Sequence, residues 1–449
     1  MISGHRFLWI GLVLVVVTAN LVALFVVIPR ASSRIGRFYG ENQYADGYDQ
    51  LAANLASGNG YRFYPETAKT LMREPGYPIL LAGIFVVFGN NLAAVQMANM
   101  LMALATAGLI ACVVRKLSSS RLLIVGAPFL FLLYPGTLVA ESRGGVEILF
   151  TFMLTLFILT VYRAVQSNRW WNYLISGGTL GLTVLVRSTP ILFPLVLLGY
   201  LLFLDERLEH QKLAAFRNFI LVTIAMLLVL SPWIMRNYSL TGKFVPTASV
   251  LGVSAQTGLY LSTHETVGNV LVDMQAASER SQLAHNLGYT FRDGYYQYFY
   301  SSADEVSFSQ YLFKRVVKKY ESSPLLFVKT VGLNLLRFWC GGKTWESVVM
   351  NASVQLPFLA LAIFGIVVWT RDGRFKEIAP LVLLIIYVIA VSVPILAQAR
   401  YSEPLIPFLS ILACSALVTA QKRFSGAREP LHEVAPHLTS KIILVRETQ

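Results

Sequence analysis

Long apolar runs bounded by clusters of charge recur along this sequence, several of them about 17 residues or more. A helical run of that length crosses the hydrocarbon core of a bilayer, where each backbone amide must find its partner within its own segment. The pattern implies an all-α, polytopic membrane protein. Only 14% of the 449 residues are charged and 55% are hydrophobic, against roughly 25% charged in ordinary soluble domains. The formal net charge of +13 therefore reads as topology, since basic residues flank spans for topological reasons alone. No basic, aromatic-interleaved soluble segment points to nucleic acid. Cys112, Cys340 and Cys414 are too scattered for a disulfide framework or a metal cluster.

The first span is predicted over 7–28, behind His5 and Arg6. It is longer than the apolar core of a cleaved signal peptide and lacks a small-x-small site, so it reads as an uncleaved anchor with a cytoplasmic N-terminus. Further spans are predicted over 91–114, 122–139, 145–163, 172–186, 189–204, 216–234, 354–370, 378–397 and 403–420, giving about ten with both termini inside. Loop charge supports the alternation: Arg115, Lys116 and Arg121 share one loop, Arg163 and Arg169 another, Arg207, Lys212 and Arg217 a third, and Arg371, Arg374 and Lys376 a fourth, whereas the intervening short loops each carry a single arginine. Residues 1–420 thus form one membrane domain with a first outer loop over 30–90 and a long outer loop over 235–353, and 421–449 form a cytoplasmic tail. Residues 79–89 are too short to span, and 324–339 carry Lys329, Asn334 and Arg337. Both read as interfacial helices, because an eleventh span would reverse the later charge bias.

The polar stretch 39–78 follows the first span. Tyr44, Tyr48, Leu51 and Leu55 fall on one helical stripe, with Asp46, Asp49 and Gln50 on the other side, Asn42 as a cap and Gly58-Asn59-Gly60 as a stop. An ordinary solvated loop would read the same way. Asp46, Asp49, Arg73, Glu141, Arg143, Glu147, Arg187, Arg236 and Arg400 all fall in outer loops or at outer span ends. Arginines there can simply snorkel to headgroups. A basic set facing an acidic set at one interface also suits an anionic substrate.

The order of short motifs resembles the GT-C type membrane glycosyltransferases, and more narrowly the branch of the protein O-mannosyltransferases and the lipid A aminoarabinose transferase. The residues are Asp46, Tyr48, Ala52-Ala53-Asn54-Leu55, Gly58-Asn59-Gly60-Tyr61 and Arg73-Glu74-Pro75-Gly76-Tyr77-Pro78, where Glu74 replaces the usual first proline. Gly181 to Arg187-Ser188 is similar to a Gly-to-Arg-Pro span, with Ser188 replacing proline. Pro232-Trp233-Ile234-Met235-Arg236-Asn237-Tyr238 with Gly242, and Ala399-Arg400-Tyr401 with Pro404 and Pro407, complete the series over roughly residues 5–420.

The resemblance implies a polyprenyl-phosphate sugar donor, a lipid, glycan or protein acceptor, and an active site on the outer face of a bacterial inner membrane. An inverting displacement needs a base for the acceptor hydroxyl, the role expected of Asp46, with partial desolvation raising its pKa. The leaving phosphate calls for arginines. Arg187 and Arg400 are the leading candidates, then Arg236 and Arg73, with Tyr401 as an added donor. Asp49 is a second acidic candidate, for the acceptor or in support of the site. Glu147 could orient the acceptor or share a divalent ion with an aspartate, although no clustered ligand set is visible and no dedicated metal site is expected. Two alternatives stay open. A transporter or flippase for a lipid-linked glycan should carry its charges near the midplane of its spans. A polysaccharide polymerase or ligase of similar architecture would not need Asp46 in this stretch.

Overall fold

The computed structural model describes residues 46–424 apart from 206–210, 265–269 and 343, together with Thr18 and Leu21. All of the predicted span 7–28 but Thr18 and Leu21, the cap at Asn42, the stripe position Tyr44 and the tail beyond 424 lie outside the described residues.

The architecture is helical; of the remaining predicted spans, 122–139 falls on a bent helix pair and 189–204 on a 3-10 turn and a short helix, while the others each fall mainly on one helix. Short α1 (Tyr48–Ala56) and α2 (Gly76–Phe88) come first. Then follow α3 (Leu92–Leu117), the bent pair α4 (Arg121–Leu132) and α5 (Pro135–Glu141), α6 (Glu147–Ser167), α7 (Trp170–Val186), a 3-10 turn (Thr189–Leu192) running into α8 (Phe193–Phe203), and α9 (Lys212–Thr241). The long loop holds α10 (Leu251–Thr263), α11 (Val270–Asn286), a hairpin of β1 (Phe291–Arg292) and β2 (Tyr298–Phe299), α12 (Ser302–Ser322) and α13 (Pro324–Cys340). α14 (Trp345–Arg371), α15 (Phe375–Ser392) and α16 (Ile406–Phe424) close the fold. Among the described residues six helices are long and apolar enough to cross a membrane, or seven if the α4–α5 pair, bent by 55°, is one span. The bend follows Tyr134, whose backbone is extended ahead of Pro135, as proline requires of its predecessor.

Two boundaries differ from expectation. Hydropathy ends the span in α9 at 234, yet the helix runs on through the polar Arg236-Asn237 to a left-handed Gly242 at φ 64°. α14 begins at Trp345 rather than 354, started by a capping box between Thr344 and Ser347. The long loop is correspondingly shorter. Apolar content marks where lipid is, whereas caps mark where a helix is.

α13 turns Leu325, Val328 and Leu336 outward and buries Thr330, Asn334 and Arg337, the distribution of a helix with lipid outside and protein inside. α2, only 13 residues long, likewise exposes Ile79 in its first turn and Val86, Val87 and Phe88 at its end.

Glycines set the closest approaches. A Cβ at Gly177 would lie 2.7 Å from the Ala225 Cβ, and one at Gly181 2.7 Å from the Val229 Cβ, so α7 and α9 meet along a small-residue stripe. This seats the end of α7, and with it Arg187. A second hydrophobic core joins the first loop to the long loop: Leu51, Tyr61, Phe63 and Met72 pack with Val253, Ala284, Phe291, Tyr296, Tyr298, Phe299, Phe308 and Leu312.

Candidate active site

Asp46 lies just before α1 rather than on it, in the left-handed region at φ 65°, followed by Gly47 at φ 72°. Two successive left-handed residues turn its side chain away from the helix surface on which periodicity had placed it. Such a backbone costs a non-glycine residue of order 1–3 kcal/mol and persists where surrounding contacts enforce it. A Cβ at Gly47 would meet the Phe63 ring at 2.8 Å.

The contacts that enforce it come from both ends of the sequence. Arg400 donates from Nη1 to Asp46 Oδ2 at 2.8 Å and from Nη2 to Oδ1 at 3.3 Å. Arg73 Nη2 is 3.2 Å from Oδ1, and the Tyr296 hydroxyl donates to Oδ1 at 3.0 Å. Arg73 also donates to the Tyr296 hydroxyl. The Asp46 side chain is 17% exposed. Burial opposes its ionisation, but the Arg400 and Arg73 guanidiniums outweigh burial and hold the carboxyl well below the usual carboxylate range. The expected upward shift is thereby corrected: desolvation is present, and two cations reverse its effect. Burial keeps the Tyr296 phenol protonated, so it remains a donor.

Each neighbour is locally fixed. Arg400 sits in a 3-10 turn ahead of α16, with Nε donating to Gln398 Oε1 at 2.8 Å and Nη1 3.7 Å from Glu147 Oε1. Glu147 opens α6. Arg73 follows a segment pinned by the buried Glu305 of α12. Glu305 accepts from Thr70 Oγ1 at 2.6 Å, from the Leu71 amide at 2.9 Å and from Ser249 Oγ at 2.6 Å. Arg187 ends α7 and places its guanidinium 4.3 Å from the Tyr401 ring centre and 5.8 Å from that of Phe150.

Asp46, Arg73, Arg400 and Glu147 therefore converge, with Tyr401 and Arg187 stacked beside Arg400. Two candidates do not join them. Arg236 donates to the Thr70 carbonyl at 2.9 Å and stacks 4.5 Å from Trp233, bracing the segment before Arg73. Asp49 sits in the first turn of α1. Burial raises its pKa. Periodicity groups these residues by sequence, and the left-handed turn at Asp46–Gly47 separates them in space. Tyr296 was missed as a site residue, although the run of tyrosines at 295, 296, 298 and 300 was visible. Glu305 had no local signal.

Arg400 also lines a cavity of about 290 Å³. Its walls include Tyr134, Val139, Trp339 and Met350, with Gln398 and Glu403 near Arg400. Among the described residues no three His, Cys, Asp or Glu side chains come together as metal ligands. Asp46 and Glu147, the carboxylates that could share a dication, both face the Arg400 guanidinium in this structure.

Known proteins bear on this arrangement. Residues 72–235 match the family model for dolichyl-phosphate-mannose-protein mannosyltransferases. The structure superposes on the archaeal oligosaccharyltransferase AglB from Archaeoglobus fulgidus, solved with an inhibitory peptide and a dolichol-phosphate, with a TM-score of 0.53 at 13% identity over 97% of this chain and 54% of that one. The chain has the GT-C fold. A second structure of the Archaeoglobus fulgidus oligosaccharyltransferase, tethered to an acceptor peptide, gives a TM-score of 0.50 at 14% identity over 97% of this chain and 53% of that one. The chain spans about half the length of these two enzymes. ArnT from Cupriavidus metallidurans bound to undecaprenyl phosphate gives 0.41 at 12% identity, over 92% of this chain and 79% of that one. No curated protein sequence matches.

Proposed function

We propose that this GT-C protein transfers a sugar from a polyprenyl-phosphate carrier to an acceptor hydroxyl at the outer face of the membrane. The observation that carries the reading is the Asp46 carboxylate, ionised and mostly shielded, held by Arg400, Arg73 and Tyr296, with Arg400 also lining a cavity. The family match and the fold support it, as does the dolichol-phosphate in the AglB structure.

The acceptor oxygen attacks the anomeric carbon from the face opposite the phosphate. The bond from that carbon to the phosphate oxygen breaks, its electron pair leaves with the polyprenyl phosphate, and the acceptor proton passes to Asp46. The sugar inverts. Arg400 engages both oxygens of Asp46, so it must turn toward the donor phosphate before Asp46 can meet the acceptor. The same guanidinium then stabilises the charge that develops on the leaving group. With Arg400 turned away, Asp46 loses the larger of the two cationic influences that hold its pKa down and becomes the stronger base the step needs. Arg187, beside Tyr401, is the second phosphate ligand. In this reading Glu147 orients the acceptor or Arg400 itself.

The test uses purified protein in liposomes supplied with a polyprenyl-phosphate sugar radiolabelled in the sugar and with a membrane extract as acceptor. The expected result is label leaving the lipid and becoming acceptor-linked. Label that stays on an intact lipid and crosses the bilayer would replace the enzyme with a flippase.

A further inference from the structure

One buried carboxylate beside this cluster has no part in the mechanism above. Glu74 is 5% exposed, and its Oε1 accepts a hydrogen bond from the Ser188 amide at 3.0 Å. Ser188 follows Arg187 and immediately precedes the 3-10 turn Thr189–Leu192. The leading amides of such a turn have no partner within it, and a carboxylate is a good substitute.

The join between the two segments is tight on every side. A Cβ at Gly76 would come within 2.8 Å of Val186 Cγ2 and 2.9 Å of the Leu185 carbonyl oxygen, so the loop lies directly against the last turn of α7. The Tyr61 hydroxyl reaches the carbonyls of both Arg73 and Glu74 at 3.0 Å, fixing the loop side. The Tyr387 hydroxyl donates to the Thr189 carbonyl at 2.8 Å and accepts from the Leu192 amide at 3.1 Å, fixing the far side of the turn. Arg187 is held between these anchors in an extended conformation, φ −155° and ψ 128°.

We propose that Glu74 is a positioning residue for the donor phosphate: by holding the Ser188 amide it sets the direction in which Arg187 presents its guanidinium beside Tyr401. The inference rests on the reading of Arg187 as a phosphate ligand. Glu74 and Ser188 are also two positions at which the sequence departs from the motifs it resembles, with proline expected at each. A proline at 188 has no N–H to donate, and a proline at 74 has no side-chain acceptor. The two departures are complementary, each supplying half of one hydrogen bond.

The geometry provides a clean variant. Ser188 has φ −68°, a value proline adopts, and Arg187 before it is extended, as a residue before proline prefers. Ser188→Pro therefore removes the N–H without straining φ or ψ, and its Cδ stands where the hydrogen was, displacing the Glu74 carboxyl as well. The experiment measures binding of undecaprenyl phosphate to the detergent-solubilised full chain. The proteins are wild type, Glu74→Ala, Glu74→Gln, Ser188→Pro, Arg187→Ala and the Glu74→Ala/Arg187→Ala double variant, with thermal unfolding of each recorded alongside.

Glu74→Ala and Ser188→Pro are each expected to weaken binding by roughly five- to tenfold. Glu74→Gln, whose amide oxygen still accepts, should bind within about twofold of wild type. The double variant should be no weaker than Arg187→Ala alone, because Glu74 acts through Arg187. A purely structural role would instead lower stability and add its loss to that of Arg187→Ala. Wild-type affinity in both Glu74→Ala and Ser188→Pro, or additive losses in the double variant, would overturn the inference while leaving the donor reading intact. Failure of wild type itself to bind would overturn both. If Glu74→Ala does not fold, Ser188→Pro and Glu74→Gln decide the question.

Discussion

Asp46 shows how far a residue's environment can depart from its local sequence. Its neighbours in the chain suggest a polar helix face, whereas its neighbours in space are guanidiniums 27 and 354 positions away. Nothing local reports a cation that far along the chain, which is why the direction of its pKa shift was not legible. The shift has a consequence in pH. An acid whose folded pKa lies below its unfolded value stabilises the fold above the ordinary range of about 4. That stability is lost as pH falls through the depressed folded value. The stability gap between wild type and Asp46→Asn should therefore stay flat from about pH 8 to 5 and narrow only below about pH 4. Thermal melts in detergent across that range check it, and a gap closing near pH 6 would count against the two-arginine clamp. Nothing in the sequence singled out Gly47. Its positive φ and the Phe63 ring make Gly47→Ala strained twice over, so it should cost about 1 kcal/mol or more and impair transfer, readable as a lower Tm and a lower kcat.

Helices were the legible part of this chain, because a span needs only apolar length. α3 and α6 were placed within a few residues from hydropathy alone. The polar ends of α9 and α14 were not, since Arg236-Asn237 and Thr344–Ser347 belong to helices without belonging to lipid. Which glycines matter was also hidden in the sequence. Gly177 and Gly178 look equivalent there, yet only Gly177 faces α9 closely, while a Cβ at Gly178 would meet nothing within 4 Å. Gly177→Leu should thus destabilise the protein by about 1–3 kcal/mol, whereas Gly178→Leu should leave the Tm nearly unchanged. Equal effects in thermal melts would contradict the α7–α9 contact.

At the scale of the molecule, the long loop is part of the candidate site rather than a cover over it. Its hairpin brings Tyr296 to Asp46, its helix α12 holds the Arg73 segment through Glu305, and the two loops share one core. Tyr296→Phe should lower kcat by roughly ten- to a hundredfold with little change in KM for the donor, having removed a hydrogen bond to a charged group. A change in KM alone would move Tyr296 to substrate binding. Exchange of residues 240–320 with a relative's loop should alter acceptor use only if Tyr296 and Glu305 are kept, and abolish transfer if they are lost.

The most direct test of the whole account is glycosyl transfer by Asp46→Asn against wild type at matched protein levels, following radiolabelled sugar out of the polyprenyl-phosphate pool. Asparagine tolerates the left-handed backbone at position 46, so the substitution changes charge rather than shape. The account expects transfer to fall by about 10²- to 10⁴-fold with undecaprenyl phosphate binding retained. Transfer at the wild-type rate would contradict it and remove Asp46 from the chemistry.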